Sequence, residues 1–212
     1  MMRIVVLGAA GQLGREVVGA FAARKYAVRA VVRRPPIPAF DGSVDVQIAD
    51  AGKKVELRQA LSGCDAVVNA IGAGTLRRNN VESTTTAIAL AAAEELGIQR
   101  YVALSAGMVA LDWLFFNYVL RPLIFRNIYA EHCRVEELVR ASSLAWTIVR
   151  PPKLTNGPPR GYVAGLERDP KLFSAARADV ASFIADDVKD KNYLRQAVFV
   201  ASRRDRKENN PR

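Results

Sequence analysis

Short apolar runs alternate with amphipathic stretches along most of the chain. Ile4–Leu7, Ala27–Val32, Val44–Ile48, Ala66–Ala70, Tyr101–Leu104, Trp146–Val149 and Ala197–Val200 read as strands. Between them lie helical patterns. Gln12–Arg24 turns Leu13, Val17, Val18 and Phe21 toward a core, and Val55–Leu61 closes at Ser62-Gly63. Asn80–Leu96 is alanine-rich and stops at Gly97, and Glu131–Ala141 and Ala178–Asp186 complete the set. Pro35-Pro36-Ile37-Pro38 forces a loop after the second strand. Strand and helix alternating at short spacing predict an α/β fold, a doubly wound parallel sheet with helices on both faces.

The first strand runs straight into Gly8-Ala9-Ala10-Gly11-Gln12-Leu13-Gly14, and a helix follows at once. Strand, glycine turn and helix in that order form the start of a Rossmann-type dinucleotide site. Gly8 can take backbone angles a Cβ forbids. Gly11 lets the backbone approach phosphates, and Gly14 lets the helix pack closely on the strand. The helix N-terminus then offers free N–H groups and a positive dipole end to an anion. The spacing is G-x-x-G-x-x-G, one residue wider in its first half than the common dinucleotide turn.

In NAD-preferring folds an acid about 20 residues past the turn holds the ribose 2′-hydroxyl. This chain carries Arg33-Arg34 at the end of the second strand, with no carboxylate nearer than Asp41. Two guanidiniums match a 2′-phosphate in charge and geometry, which favours NADP(H) over NAD(H). Asp50-Ala51 closes the third strand; Asp50 would accept the adenine amino group or cap the loop. Asn69-Ala70-Ile71-Gly72 closes the fourth with small residues that let the backbone pass beneath a cofactor. Ligands of open α/β sheets bind outside the carboxyl ends of the strands. Ser105-Ala106 and Pro151-Pro152-Lys153 are therefore expected to flank a nicotinamide.

Composition narrows the class. A length of 212 residues suits one domain, read here as 1–202 with a charged, disordered tail at 203–212. The formal charge of +10 is scattered, which argues against specific nucleic-acid binding. No apolar run is long enough for a membrane helix, and no signal-peptide pattern opens the chain. Cys64 and Cys133 have neither metal nor redox spacing and fit a reducing cytoplasm. No metal site is expected, and a monomer or weak dimer is.

Together the glycine turn, Arg33-Arg34, Asp50-Ala51, Asp65-Ala66-Val67-Val68, Ser105-Ala106, Glu131–Glu136 and Leu144–Pro152 resemble the atypical short-chain dehydrogenase/reductase family. The nearest branch in that resemblance holds biliverdin reductase B and the NmrA-like NAD(P)H-binding proteins. The resemblance implies a small C-terminal substrate region and NADPH-dependent hydride transfer to a flavin, bilin or other conjugated small molecule. A flavin would then be substrate rather than resident cofactor. It also implies Ser105 beside the nicotinamide and a histidine at His132, a candidate proton donor. Lys153 stands where biliverdin reductase B has a histidine. The alternative is a non-catalytic NADP(H)-binding regulator or assembly factor.

Carbonyl reductases of the wider family use a tyrosine activated by a lysine four residues on. Here Tyr129 is followed at that spacing by Cys133, whose neutral thiol cannot lower a phenol pKa. Alcohol–ketone interconversion is disfavoured, as is a sugar-nucleotide epimerase. Met108, Trp113, Tyr129 and Lys153 are the candidate substrate contacts. The aromatic stretch 111–125 is read as a pocket wall, an interface, a membrane-surface contact beside the basic charge, or ordinary packing.

Overall fold

The central strands are buried on both faces because their apolar runs are nearly continuous. β1 (Arg3–Leu7), β4 (Ala66–Asn69) and β5 (Arg100–Leu104) are each enclosed over nearly their whole length. In the computed structural model, which describes residues 1–35, 37–72, 80–110 and 125–204, they sit in the middle of an eight-stranded sheet. The others are β2 (Ala27–Val32), β3 (Asp45–Ile48), β6 (Ala145–Arg150), β8 (Tyr162–Gly165) and β10 (Gln196–Ser202). The order is β3-β2-β1-β4-β5-β6-β10-β8, all parallel except β8, which lies antiparallel on β10. A second, two-stranded sheet pairs β7 (Lys153–Thr155) with β9 (Ser174–Ala176).

Alternate residues of β1 feed two cores. Ile4 and Val6 face α1 (Gln12–Ala23) and α5 (Arg177–Asp190), meeting Val17, Phe21, Phe183 and Ile184. Val5 and Leu7 face the other layer of α2 (Lys54–Leu61), α3 (Val81–Glu95) and α4 (Arg126–Ala141). α5 is also tied to the sheet by a buried ion pair, Arg100 Nη2 to Asp187 Oδ2 at 2.5 Å, with Thr147 donating to the same oxygen at 2.8 Å. The doubly wound α/β reading therefore holds. So does the stop at Gly97, which follows α3 at φ +71°.

Three differences matter for the site. α4 begins at Arg126, five residues before the expected start, because Phe125 offers no side-chain cap to mark the helix entrance. α5 runs to Asp190 and ends on Lys191 in the left-handed region. β7, β8 and β9 were not anticipated, since three- and four-residue strands are too short to display a period and gain their pairing from distant segments. Among the described residues, no helix is long and apolar enough to cross a membrane. Trp113, most of the aromatic stretch 111–125 and the tail from 205 onward lie outside the described residues.

Candidate functional site

β1 pairs with β2 on one side and β4 on the other, so the chain switches direction across the sheet between β1 and β4. A groove opens at the carboxyl ends of the strands there, as open α/β sheets require. Its half beside β2 is a cavity of about 610 Å³ lined by Gly8, Ala10, Gly11, Arg33, Asp50 and Ala51, among others. The half beside β5 and β6, about 710 Å³, includes Gln12, Leu13, Ser105, Ala106, His132 and Pro151-Pro152. Gly11, Ala70, Ile71 and Gly72 line both halves and join them.

The glycine turn shapes the middle of the groove. Gly8 sits at φ +74°, and a Cβ there would come within 3.0 Å of the Ala70–Ile71 peptide. A Cβ on Gly14 would lie 2.2 Å from the Gly8 carbonyl oxygen, so only glycine lets α1 start this close to β1. Gly14 thus serves the packing and does not line the groove. No side chain caps α1. Its first-turn amides, Gln12 and Leu13, have no intrahelical acceptor and line the groove wall. An uncapped helix end behind a glycine cradle fits a pyrophosphate, and these residues would hold one.

At the β2 end Arg33 lines the cavity, whereas Arg34 is exposed outside it. Neither guanidinium forms an ion pair with a described residue. Asp50 commits one oxygen to the Gly52 amide at 2.9 Å, the loop-cap role. Asn69 ends β4 just before the Ala70–Gly72 floor. Its side chain is buried, donates to Thr86 Oγ1 at 3.1 Å and Tyr101 Oη at 3.0 Å, and accepts from the Ile71 amide at 3.2 Å. It shapes the Ala70–Gly72 floor from below.

Two buried carboxylates flank the other half. Glu136 takes the Ser105 hydroxyl at 2.8 Å and both arms of Arg150, at 2.8 and 2.5 Å, with Arg140 at 3.3 Å. Burial alone would raise its carboxyl, but the Arg150, Ser105 and Arg140 donors outweigh that and hold it below the usual value. An ionised carboxylate only accepts, so the Ser105 proton points at Glu136 and the hydroxyl can offer the groove only lone pairs.

Glu82, at the start of α3, has the opposite surroundings. It is 2% exposed, and its Oε2 has no hydrogen-bond partner among the described residues. Its Oε1 lies 3.5 Å from His132 Nδ1, which is also unpartnered. Burial and the neighbouring Glu131 push the Glu82 carboxyl up to about 8. Burial also lowers His132, against the pull of Glu136 and Glu131. Glu131 takes the Ser83 amide and hydroxyl on Oε1 at 2.8 and 2.9 Å, while its Oε2 has no hydrogen-bond partner among the described residues. Glu82 and His132 line the same half of the groove as Ser105, so that half holds a carboxyl that keeps its proton near neutrality.

A third cavity, of about 490 Å³, adjoins this half and shares Ala106, Pro151 and Pro152 with it. Met108 and Lys153 line this cavity rather than the groove. Tyr129 lines neither; its hydroxyl faces the Val109 carbonyl at 3.5 Å, one helical turn from Cys133. Sequence reasoning missed Glu82, Glu136, Arg150 as a clamp, and Arg177, which joins the groove wall from the start of α5 and donates to Asn156 at 2.6 Å. Glu136 carried a signal, since it stands one turn after His132 on the same helix face. The others carried none.

The family described as NAD(P)H-binding matches residues 8–191. The chain is 30% identical over 202 residues to the uncharacterized sugar epimerase YhfK of Bacillus subtilis, covering 90% of each. A short-chain dehydrogenase/reductase from Veillonella parvula, solved in complex with NADP, matches with a TM-score of 0.78 at 19% identity, covering 95% of this chain and 94% of that one. A candidate NADH-flavin reductase from Streptococcus pneumoniae matches with a TM-score of 0.80 at 19% identity, over 96% and 100% of the two chains. The two structural likenesses speak for the Rossmann-type fold.

Proposed function

Because the chain belongs to the NAD(P)H-binding family, we propose that it is an NADPH-dependent reductase of a flat conjugated acceptor such as a flavin. The observation that carries this reading is the continuity of the groove. It runs from Arg33, past the uncapped α1 amides, to Ser105 and His132, and opens at Pro151-Pro152. Arg33 would hold a 2′-phosphate, and Gln12 and Leu13 the pyrophosphate, with Arg177 adding charge across from them. Ser105, its proton committed to Glu136, would accept a hydrogen bond from a carboxamide N–H. The cofactor, when bound, supplies hydride. The chain then has only to align two flat rings and deliver a proton, which is catalysis by proximity. Glu82, protonated near neutral pH, and His132 hold that proton in the same half of the groove as Ser105.

The relative named as a sugar epimerase carries less weight for this chain. The Tyr129 hydroxyl lies on the Val109 carbonyl, outside the groove lining, and Cys133 stands where a lysine would activate it. The test is loss of NADPH absorbance with FMN as acceptor, NADH run beside it, and cofactor binding followed by fluorescence. Turnover well above the uncatalysed rate, faster with NADPH, is expected. Tight NADPH binding with no acceptor reduced would instead mark a cofactor-binding regulator.

A further inference from the structure

The cavity beside the groove is built for hydrocarbon. Leu172, Phe173 and Phe199 wall it with Val163 and Met108, and the charged Lys153, Glu167, Arg168 and Asp169 join the lining in opposite signs. It has the size of a site for a small organic group. Its outer wall comes from one excursion, β8 and the segment after it. That excursion leaves two lining side chains, Val163 and Phe173, 44% and 65% exposed. Apolar side chains concentrated at a cavity mouth mark a binding site more than ordinary surface. The two cations, Lys153 and Arg168, are matched by Glu167 and Asp169, so a ribityl phosphate placed there would give up hydration and meet no net positive charge. A hydrocarbon chain would lose nothing.

Building on the reductase reading, we propose that this cavity takes the hydrocarbon arm of the acceptor, so that the preferred substrate is a quinone-type ring bearing an apolar side chain. The ring would lie in the groove at Ser105, and the arm would cross Ala106 and Pro151-Pro152 into the cavity. The reaction balances: NADPH gives one hydride, the Glu82–His132 pair or water gives one proton, the two ring carbonyls become hydroxyls, and NADP⁺ leaves.

The test compares one methylated benzoquinone ring carrying no side chain, a butyl chain or a decyl chain. With NADPH saturating, kcat/KM should rise about two- to fourfold for each methylene that enters the cavity, saturating once the cavity is full. In Phe173→Asp, whose side chain is 65% exposed, the ratio of decyl to chain-free kcat/KM should collapse toward one. Calorimetric binding of the decyl quinone to the NADP⁺-loaded protein gives a readout independent of turnover. Reduction with no chain-length preference overturns the cavity proposal and leaves the reductase reading standing. Binding that depends on the chain and is weakened by Phe173→Asp, without turnover, supports the cavity and overturns the reductase reading. Neither turnover nor chain-dependent binding overturns both.

Discussion

Glu136 and Glu82 are equally deep beside the same half of the groove, and their protonation states diverge. Glu136 is clamped by two arms of Arg150 and by Ser105. Glu82 has no donor on Oε2 and an acidic neighbour in Glu131. Burial acts upward on both carboxyls; the Arg150, Ser105 and Arg140 donors keep Glu136 ionised, and Glu82, without such donors and beside Glu131, holds its proton. The first makes a fixed, pH-insensitive wall behind Ser105, and the second a reservoir that can give up a proton near neutrality.

The clamp is the larger quantity to break. Arg150→Ala strips Glu136 of its main partner and leaves a charge 4% exposed in the protein. Removing one partner of a buried pair costs about 3–5 kcal/mol, read as a lower urea midpoint at pH 7. The sign with pH follows from the depressed Glu136 carboxyl. Its stabilisation is present above the ordinary glutamate value and lost as pH falls through the folded one. Wild type should therefore lose stability toward low pH more steeply than Arg150→Ala.

Much of the groove was legible in the sequence because it is local. The glycine turn, Arg33, Ser105 and Pro151-Pro152 are each read within a few residues of a strand end, where the fold class already places ligands. The two carboxylates were not legible, since their difference lies in what two helices, α3 and α4, and the ends of two strands, β5 and β6, bring to them. Glu82 sits in an alanine-rich helix whose pattern announces packing only. The anchor of the floor was not legible either: Thr86 and Tyr101, 17 and 32 residues on, take the Asn69 side chain. The third cavity was invisible, because β7, β8 and β9 become strands only by pairing across distances of 20 residues or more.

Glu82→Gln sharpens the comparison from the other side. A carboxyl raised to about 8 contributes stability that is fully present below its unfolded value and lost as pH rises through the folded one. Glutamine keeps the shape of the protonated acid and cannot ionise. The variant should match wild type near pH 5 and exceed it near pH 8 by about 2–3 kcal/mol, at a slope of up to about 1.4 kcal/mol per pH unit. In a chain of this size that is a rise of roughly 4–12 °C in Tm at the higher pH. His132, held below its ordinary value by burial, acts in the opposite direction. It loses stability as pH falls, and it is common to both proteins. A Tm difference that does not change between the two pH values would mean Glu82 is ionised throughout and is no proton reservoir.

Ser105→Ala gives the smallest expected effect on stability and the cleanest separation of the two carboxylates. Glu136 keeps Arg150 and Arg140, so losing one donor should cost about 1 kcal/mol. What is lost is the acceptor that the hydroxyl turns toward the groove once its own proton is spent on Glu136. Hydride transfer in single turnover should then fall by about tenfold, the rate equivalent of about 1.4 kcal/mol, as the ring is held less firmly. The pH profile should not move, because the group behind Ser105 does not titrate near neutrality. Glu82→Gln should move that profile and leave ring positioning alone. If Ser105→Ala shifts the profile instead, the serine is a proton donor, and its hydrogen is not committed to Glu136 during turnover.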